Sequence, residues 1–309
     1  MTAKPTCCLL LLPWFVACAQ PPDEEPDADA AVDTVEDLVD LPPEVLPDVP
    51  PDAPPDRPDV ADDGPDISSV LIYAHSRNTL YTFSPYTLTV TEIGVFTLPD
   101  GTPAPYMLDL AVNEAGDVYT SSDTSLYRCD PATARVTLVG DFGLTDEELY
   151  ALTFLPEGVL RSDREAMIGA TNSGAYYEVN VETAEATYLG QYPDGWLSSG
   201  DIVSIVGLGT YATLKRYDYP SSDMLAEMTF RGDGSVAARI IGAIDNPGGE
   251  QFRELFGLGY WGRSLYGFSN SGQLVEIDRD TAEGTLVTTA TGTSQFWGAG
   301  VTTVAPVIF

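Results

Sequence analysis

Ser125-Leu126-Tyr127-Arg128-Cys129-Asp130-Pro131-Ala132-Thr133-Ala134-Arg135-Val136-Thr137-Leu138-Val139-Gly140 is one version of a pattern that recurs along the chain. Residues 79–94 and 175–190 repeat it closely, 224–242 carry a degenerate copy, and a last copy begins at 273–282. Each copy reads as two alternating strands joined by a tight turn at the D-x-x-T-A position, where short polar side chains bond their own backbone. A further strand precedes each pair, at 71–74, 117–120, 167–170, 210–213 and 264–267. Before the later four of these lies one more strand, at 108–112, 150–154, 201–205 and 256–260, and an extra strand of this kind follows the last copy at 297–301. Small residues in this last set, Ala111, Thr153, Ser204, Gly259 and Gly300, are what crowding around an axis requires.

Glycines 94, 140, 190 and 242 are 46, 50 and 52 residues apart. Four antiparallel strands in units of that length predict an all-β chain folded as a five-bladed β-propeller over 67–309. The first unit supplies only its outer three strands, and the surplus strand at 296–303 is expected to complete it and close the ring. The blades resemble a class of exported bacterial propellers whose repeats run approximately G-x-LY-x-x-D-x-x-T-G-x-x-T-x-I-G. That resemblance implies the fold and leaves function open, because propellers host hydrolases, lyases, lectins and scaffolds alike. A jelly roll or irregular sandwich is the structural alternative.

The amino-terminal end reads as an address. Lys4 precedes an apolar run from Leu9 to Ala17 that is too short to span a bilayer as a helix, so residues 1–17 are expected to form a signal peptide. Phe15-Val16-Ala17-Cys18 resembles the lipobox of bacterial lipoproteins, with Phe15 in place of the usual Leu. The resemblance implies cleavage before Cys18, acylation there, and attachment to the cell envelope; the absence of Asp directly after Cys18 points to the outer membrane. An ordinary signal peptide with a coincidental Cys18 is the alternative. With Cys7 and Cys8 removed and Cys18 acylated, Cys129 remains as a lone thiol, expected to be a buried small hydrophobe.

Residues 18–66 form an acidic, proline-rich tether. Positions 19–66 hold 17 acidic residues, one basic residue (Arg57), 12 of the chain's 24 prolines and no aromatic residue. Such a segment cannot bury enough apolar area to offset chain entropy, and it extends to at most about 150 Å. Asp33 and Glu36 are spaced like a capping box, but the helix they would start is a single turn. Calcium is the one cofactor its carboxylates suit, although a flexible chain lacks the preformed cage of tight sites. The whole chain carries a formal charge of −33, and 67–309 alone has 30 acidic against 12 basic residues. That excludes a nucleic-acid binder held by phosphate contacts. A monomer is expected.

Loops between units, at 97–106, 143–149, 192–200, 245–254 and 289–295, should share one face. They bring Asp100, Tyr106, Asp146, Glu147, Glu148, Tyr192, Asp194, Trp196, Asp245, Glu250 and Phe252 toward one rim, where aromatics beside carboxylates suit a glycan or protein ligand. The alternative is a hydrolase, glycosidase or lactonase-like, using carboxylates in the axial funnel, with Asp109 and Asp201 as candidates. Aligning Ala111 with Ser204 sets these two out of step by one residue, so they are expected on opposite faces. Ala151, Ile202, Gly257 and Gly298 then match Asp109, and none is acidic. His75, the single histidine, is expected at the surface, and Arg231-Gly232-Asp233-Gly234 as a hairpin turn.

Overall fold

The computed structural model describes residues 70–216 and 222–308. Cys18, the signal segment and the tether lie outside the described residues, as do Tyr217 to Ser221. The described residues form five four-stranded antiparallel sheets, a five-bladed β-propeller. The innermost strands of blades two to five are Asp109–Val112, Ala151–Leu155, Leu197–Ile205 and Leu255–Trp261. That of blade one is Gly298–Gly300, which pairs antiparallel with Ile72–His75, so the carboxy-terminal strand closes the ring as the repeat predicts.

The repeat's turn is built as its side chains dictate. Asp130 accepts the Ala132 amide (2.9 Å) and the Thr133 hydroxyl (2.7 Å), and the chain reverses through Ala134 in the left-handed region (φ 56°). Ala184 and Ala282 repeat this conformation. Alanine is used there because the turn is buried against the preceding blade, whose closing glycine makes room. A Cβ added at Gly140 would overlap the Thr183 carbonyl and lie 3.3 Å from Ala184 Cβ. The blades are also joined through backbone: Val136 donates to Thr97, Ala186 to Phe142 and Gly284 to Asp245. The Arg231–Ser235 turn forms as expected, with Gly234 at φ 84°.

Most of the core lies between adjacent blade faces rather than within a blade. One cluster joins blades one and two through Leu80, Phe96, Leu110 and Val136. The seam between blades five and one is aromatic, with Phe83 packed on Tyr266 (5.1 Å) and Phe268 (5.9 Å), and Phe268 on Phe296 (5.2 Å). Cys129 is buried, as expected, and burial pushes its thiol up to about 12.

After the closing strand the chain crosses the end of the barrel opposite the interblade loops. Thr302 donates to the Asn113 carbonyl (2.9 Å), Thr303 accepts the Val206 amide (2.8 Å), and Pro306 accepts the Gly262 amide (3.2 Å). These contacts reach blades two, four and five, so the tail covers the channel at this end. The other end holds the site.

Candidate functional site: a blind axial funnel

Each innermost strand leaves one edge unpaired toward the axis, and its inward N–H groups need acceptors. Two carboxylates provide them. Asp109 accepts the amides of Leu110 (2.8 Å) and Leu152 (2.5 Å), and Asp201 those of Ile202 (2.6 Å) and Leu258 (2.7 Å). Asp201 also accepts the Ala299 amide, and the two carboxyls hydrogen-bond each other. One amide from each of the five blades therefore ends on this pair, the first blade's coming from the closing strand.

This arrangement corrects the one-residue offset. Tyr119 lies opposite Ala111 and Tyr211 opposite Val203, so Val203 is the counterpart of Ala111 and Asp201 of Asp109. The five equivalent positions are Gly298, Asp109, Ala151, Asp201 and Gly257. Both aspartates are fully buried. Burial, then the charge of Asp201, holds the Asp109 carboxyl well above the usual carboxylate range. Burial does the same to Asp201 against the opposing pull of its amide donors.

The pair does not have the geometry of a glycosidase. Glycoside hydrolysis places its two carboxyls about 5 to 9.5 Å apart, with the sugar between them. Asp109 and Asp201 touch, every oxygen has a backbone donor, and neither reaches solvent. They form the floor of the funnel.

His75 sits at this floor and not at the surface, with no exposed area. Its Nδ1 pairs with the Ser76 carbonyl (2.7 Å), its Nε2 has no partner, and burial lowers its pKa to about 4. A Cβ on Gly298 would overlap Asp109 Oδ1 and lie 2.5 Å from His75 Nε2, which is why glycine occupies that position. Among the described residues no group of three or more His, Cys, Asp or Glu side chains is placed to hold a metal.

Immediately beyond the floor lies a cavity of about 210 Å³ lined by Tyr150, Asn172, Ser198, Ser199, Gly200, Lys215, Phe256 and Trp297. Tyr150, Gly200, Phe256 and Trp297 each directly precede a floor position, so the repeat itself sets the mouth. Phe256 meets Trp297 edge to face (5.8 Å), and the Arg77 guanidinium stacks on Trp297 (3.9 Å). The Trp297 indole nitrogen is buried and unpartnered. Asp223 beside the mouth accepts the Ser199 hydroxyl and the Leu255 amide (2.8 Å); burial raises its pKa, and nearby Lys215 opposes that.

The residues assigned to the rim divide. Tyr106 is 64% exposed and lies under Arg77 (5.6 Å), next to the mouth. Asp146, Glu147 and Glu148 line an acidic groove that shares Tyr150 with the mouth. Glu148 accepts the Tyr150 hydroxyl, and burial, together with this bond, pushes that phenol up to about 12. Asp100 is tied to Thr102 (2.7 Å), whose hydroxyl and amide hold its carboxyl below the usual range. Asp194 and Glu250 are exposed, Trp196 is half-buried under Arg216 (4.3 Å), and Asp245 is half-buried and accepts the Ser222 hydroxyl.

Tyr192 and Phe252 are not on the rim. Both are buried, Tyr192 stacked on Tyr176 (5.9 Å) between blades three and four, and Phe252 in the core of blades four and five. Tyr192 belongs to a further repeat position, two residues past each unit's glycine, that also holds Phe96, Phe142 and Ile244. Apolar side chains suit that position, and the Tyr192 hydroxyl accordingly has no partner.

The chain matches no protein-family model and no curated protein. In structure it is similar to a chain of a nidogen/laminin complex (14% identity, 75% of this chain and 97% of that one, TM-score 0.47). It is also similar to a Bacteroides caccae protein of unknown function (13%, 75% and 99%, 0.42). A third is TolB from Acinetobacter baumannii (12%, 77% and 67%, 0.43). Ligand and activity have to be argued from the site.

Proposed function

We propose that this chain is a lipid-anchored protein of the cell envelope whose propeller binds a glycan at the funnel mouth. The observation that carries the binding reading is the dead-end geometry. The far end is covered by the carboxy-terminal tail, both floor carboxylates are saturated by backbone donors, and the accessible part is a small aromatic-walled cavity with a few polar groups. Such a combination is what small-ligand sites share. A funnel whose acids are buried and mutually bonded supports binding over hydrolysis. The anchor reading rests on the lipobox-like residues 15–18 and the acidic tether, which would hold the propeller off the outer membrane as a monomer.

Two experiments test the two halves. Trp297→Ala should abolish the calorimetric heat of binding given by a panel of neutral and acidic saccharides while leaving the melting temperature within a few degrees. If saccharide binding is unaffected, or if only a protein partner binds, the glycan reading fails. Cys18→Ser should move the protein from the membrane fraction to the soluble one; retention in the lipid fraction would remove the anchor.

A further inference from the structure

We infer that the mouth selects a sugar bearing a carboxylate, with Arg77 and Lys215 as its charge-reading groups. This rests on the mouth being the binding site. In 67–309 cations are scarce, 12 against 30 acids, and most of the described ones are engaged. Arg128 pairs with Asp117 (2.6 Å), Arg161 with Glu178, and Arg239 with Glu227 (2.6 Å). At the mouth the pattern changes.

The ammonium of Lys215, the lone lysine among the described residues, has no hydrogen bond or ion pair to any of them, although the residue lines the cavity. Asp223, the described acid on which it acts electrostatically, is already bonded to Ser199 and Leu255. Arg77 has its guanidinium carbon over both Trp297 (3.9 Å) and Tyr106 (5.6 Å), and its guanidinium bonds no described acceptor. Stacking fixes the plane of a guanidinium and leaves its edge donors free, the arrangement that grips a carboxylate through two parallel bonds. The Trp297 indole N–H is a further buried donor without a partner. Lys215 and Trp297 therefore bring two donor groups without acceptors to one aromatic-walled cavity, and Arg77, which lines the adjoining surface pocket with Tyr106, meets that cavity at Trp297.

The chain as a whole is strongly negative, but at physiological salt charges more than about 8 Å away are largely screened, and the acids nearest the mouth are already committed, Glu148 to Tyr150 and Asp223 to Ser199 and Leu255. A free aliphatic acid would leave unused Asn172 and the acceptor lone pairs of Ser198 and Ser199, whose protons go to Gly200 and Asp223, whereas sugar hydroxyls can donate to them. A cavity of about 210 Å³ is smaller than drug-sized sites of roughly 300 to 1,000 Å³. It suits one ring, with the rest of a glycan lying outside.

The test is calorimetric titration with glucuronic acid, glucose and benzoic acid. Glucuronate should bind at least tenfold more tightly than glucose or benzoate, and more weakly as salt rises. Arg77→Gln and Lys215→Gln should each weaken glucuronate at least tenfold while leaving the melting temperature within a few degrees. Equal affinity for glucose, or no effect of either substitution, overturns the inference while leaving a Trp297-dependent glycan site intact. Benzoate binding as tightly as glucuronate overturns the sugar assignment. Loss of all Trp297-dependent saccharide binding would instead remove the underlying reading.

Discussion

Asp201→Ala should lower the free energy of unfolding by about 3–5 kcal/mol, because each buried amide left without its acceptor costs about 1–3 kcal/mol. The substitution strips the acceptor from the amides of Ile202, Leu258 and Ala299, which come from three blades including the closing strand. It also leaves the Asp109 carboxyl without its partner in a site with no exposure. Chemical denaturation of the wild-type and variant proteins measures the difference; a loss under about 1 kcal/mol, the size of an ordinary point mutation, would mean that the pair does not hold the ring.

The pH profile of the same region has a definite sign. Both carboxyls are raised above the ordinary aspartate range, burial being the first cause, so the folded chain holds a proton that the unfolded chain releases near pH 4. That contribution is complete below about pH 4 and is lost as pH rises through the raised folded value. Asp201→Asn keeps the shape and offers Asp109 an amide donor that needs no proton, at the cost of one backbone acceptor. Its stability should therefore fall less than that of the wild type between about pH 4 and pH 8. Parallel profiles would rule out a shared proton.

The fold could be read from the sequence because a blade cannot bury its own faces. Residues that pack blade on blade recur with the repeat, and the D-x-x-T-A turn and terminal glycine are two sides of one contact, as Gly140 against Thr183 and Ala184 shows. The floor was harder to read because its signal is a register. Small size did not align the inner strands correctly: Val203, not Ser204, stands where Ala111 does. The irregular pairing between Ser198 and Ile202 hides the match, and the tyrosines of the second strands, Tyr119 and Tyr211, restore it. Tyr192 and Phe252 were misplaced because loops are expected to be exposed. In this propeller the loops at 192–200 and 245–254 cross seams between blades, and Tyr192 and Phe252 turn inward. The mouth aromatics were legible in principle, since Tyr150, Phe256 and Trp297 occupy one position of the repeat, directly ahead of the inner strand. What no spacing could reveal is that Arg77, two residues past the end of its strand, lies on Trp297 across more than two hundred residues of chain.

Removing residues 296–309 should abolish folding, the largest effect expected of any change in the propeller. The deletion takes away the inner strand of blade one and the fully or nearly fully buried side chains of Phe296, Ala299, Val301 and Ala305. Loss of a buried phenylalanine alone costs about 3–5 kcal/mol, against a total stability of about 5–15 kcal/mol for a typical domain. Phe268 and Tyr81 would lose the ring they pack on, and Asp201 the amide of Ala299. Ile72–His75 would become an open edge beside an uncovered apolar seam, a combination that favours aggregation. The truncated chain is thus expected to show no cooperative thermal transition and to be recovered in the insoluble fraction. Phe296→Ala, which keeps the strand, should still fold with a lowered melting temperature, separating the aromatic contribution from closure itself. A truncated protein that melts cooperatively within a few degrees of the wild type would show that the ring is held by its blade-to-blade cores without the closing strand. The axial carboxylates would then have no part in binding blade one to the rest, because the Ala299 amide through which they reach it would be gone without consequence.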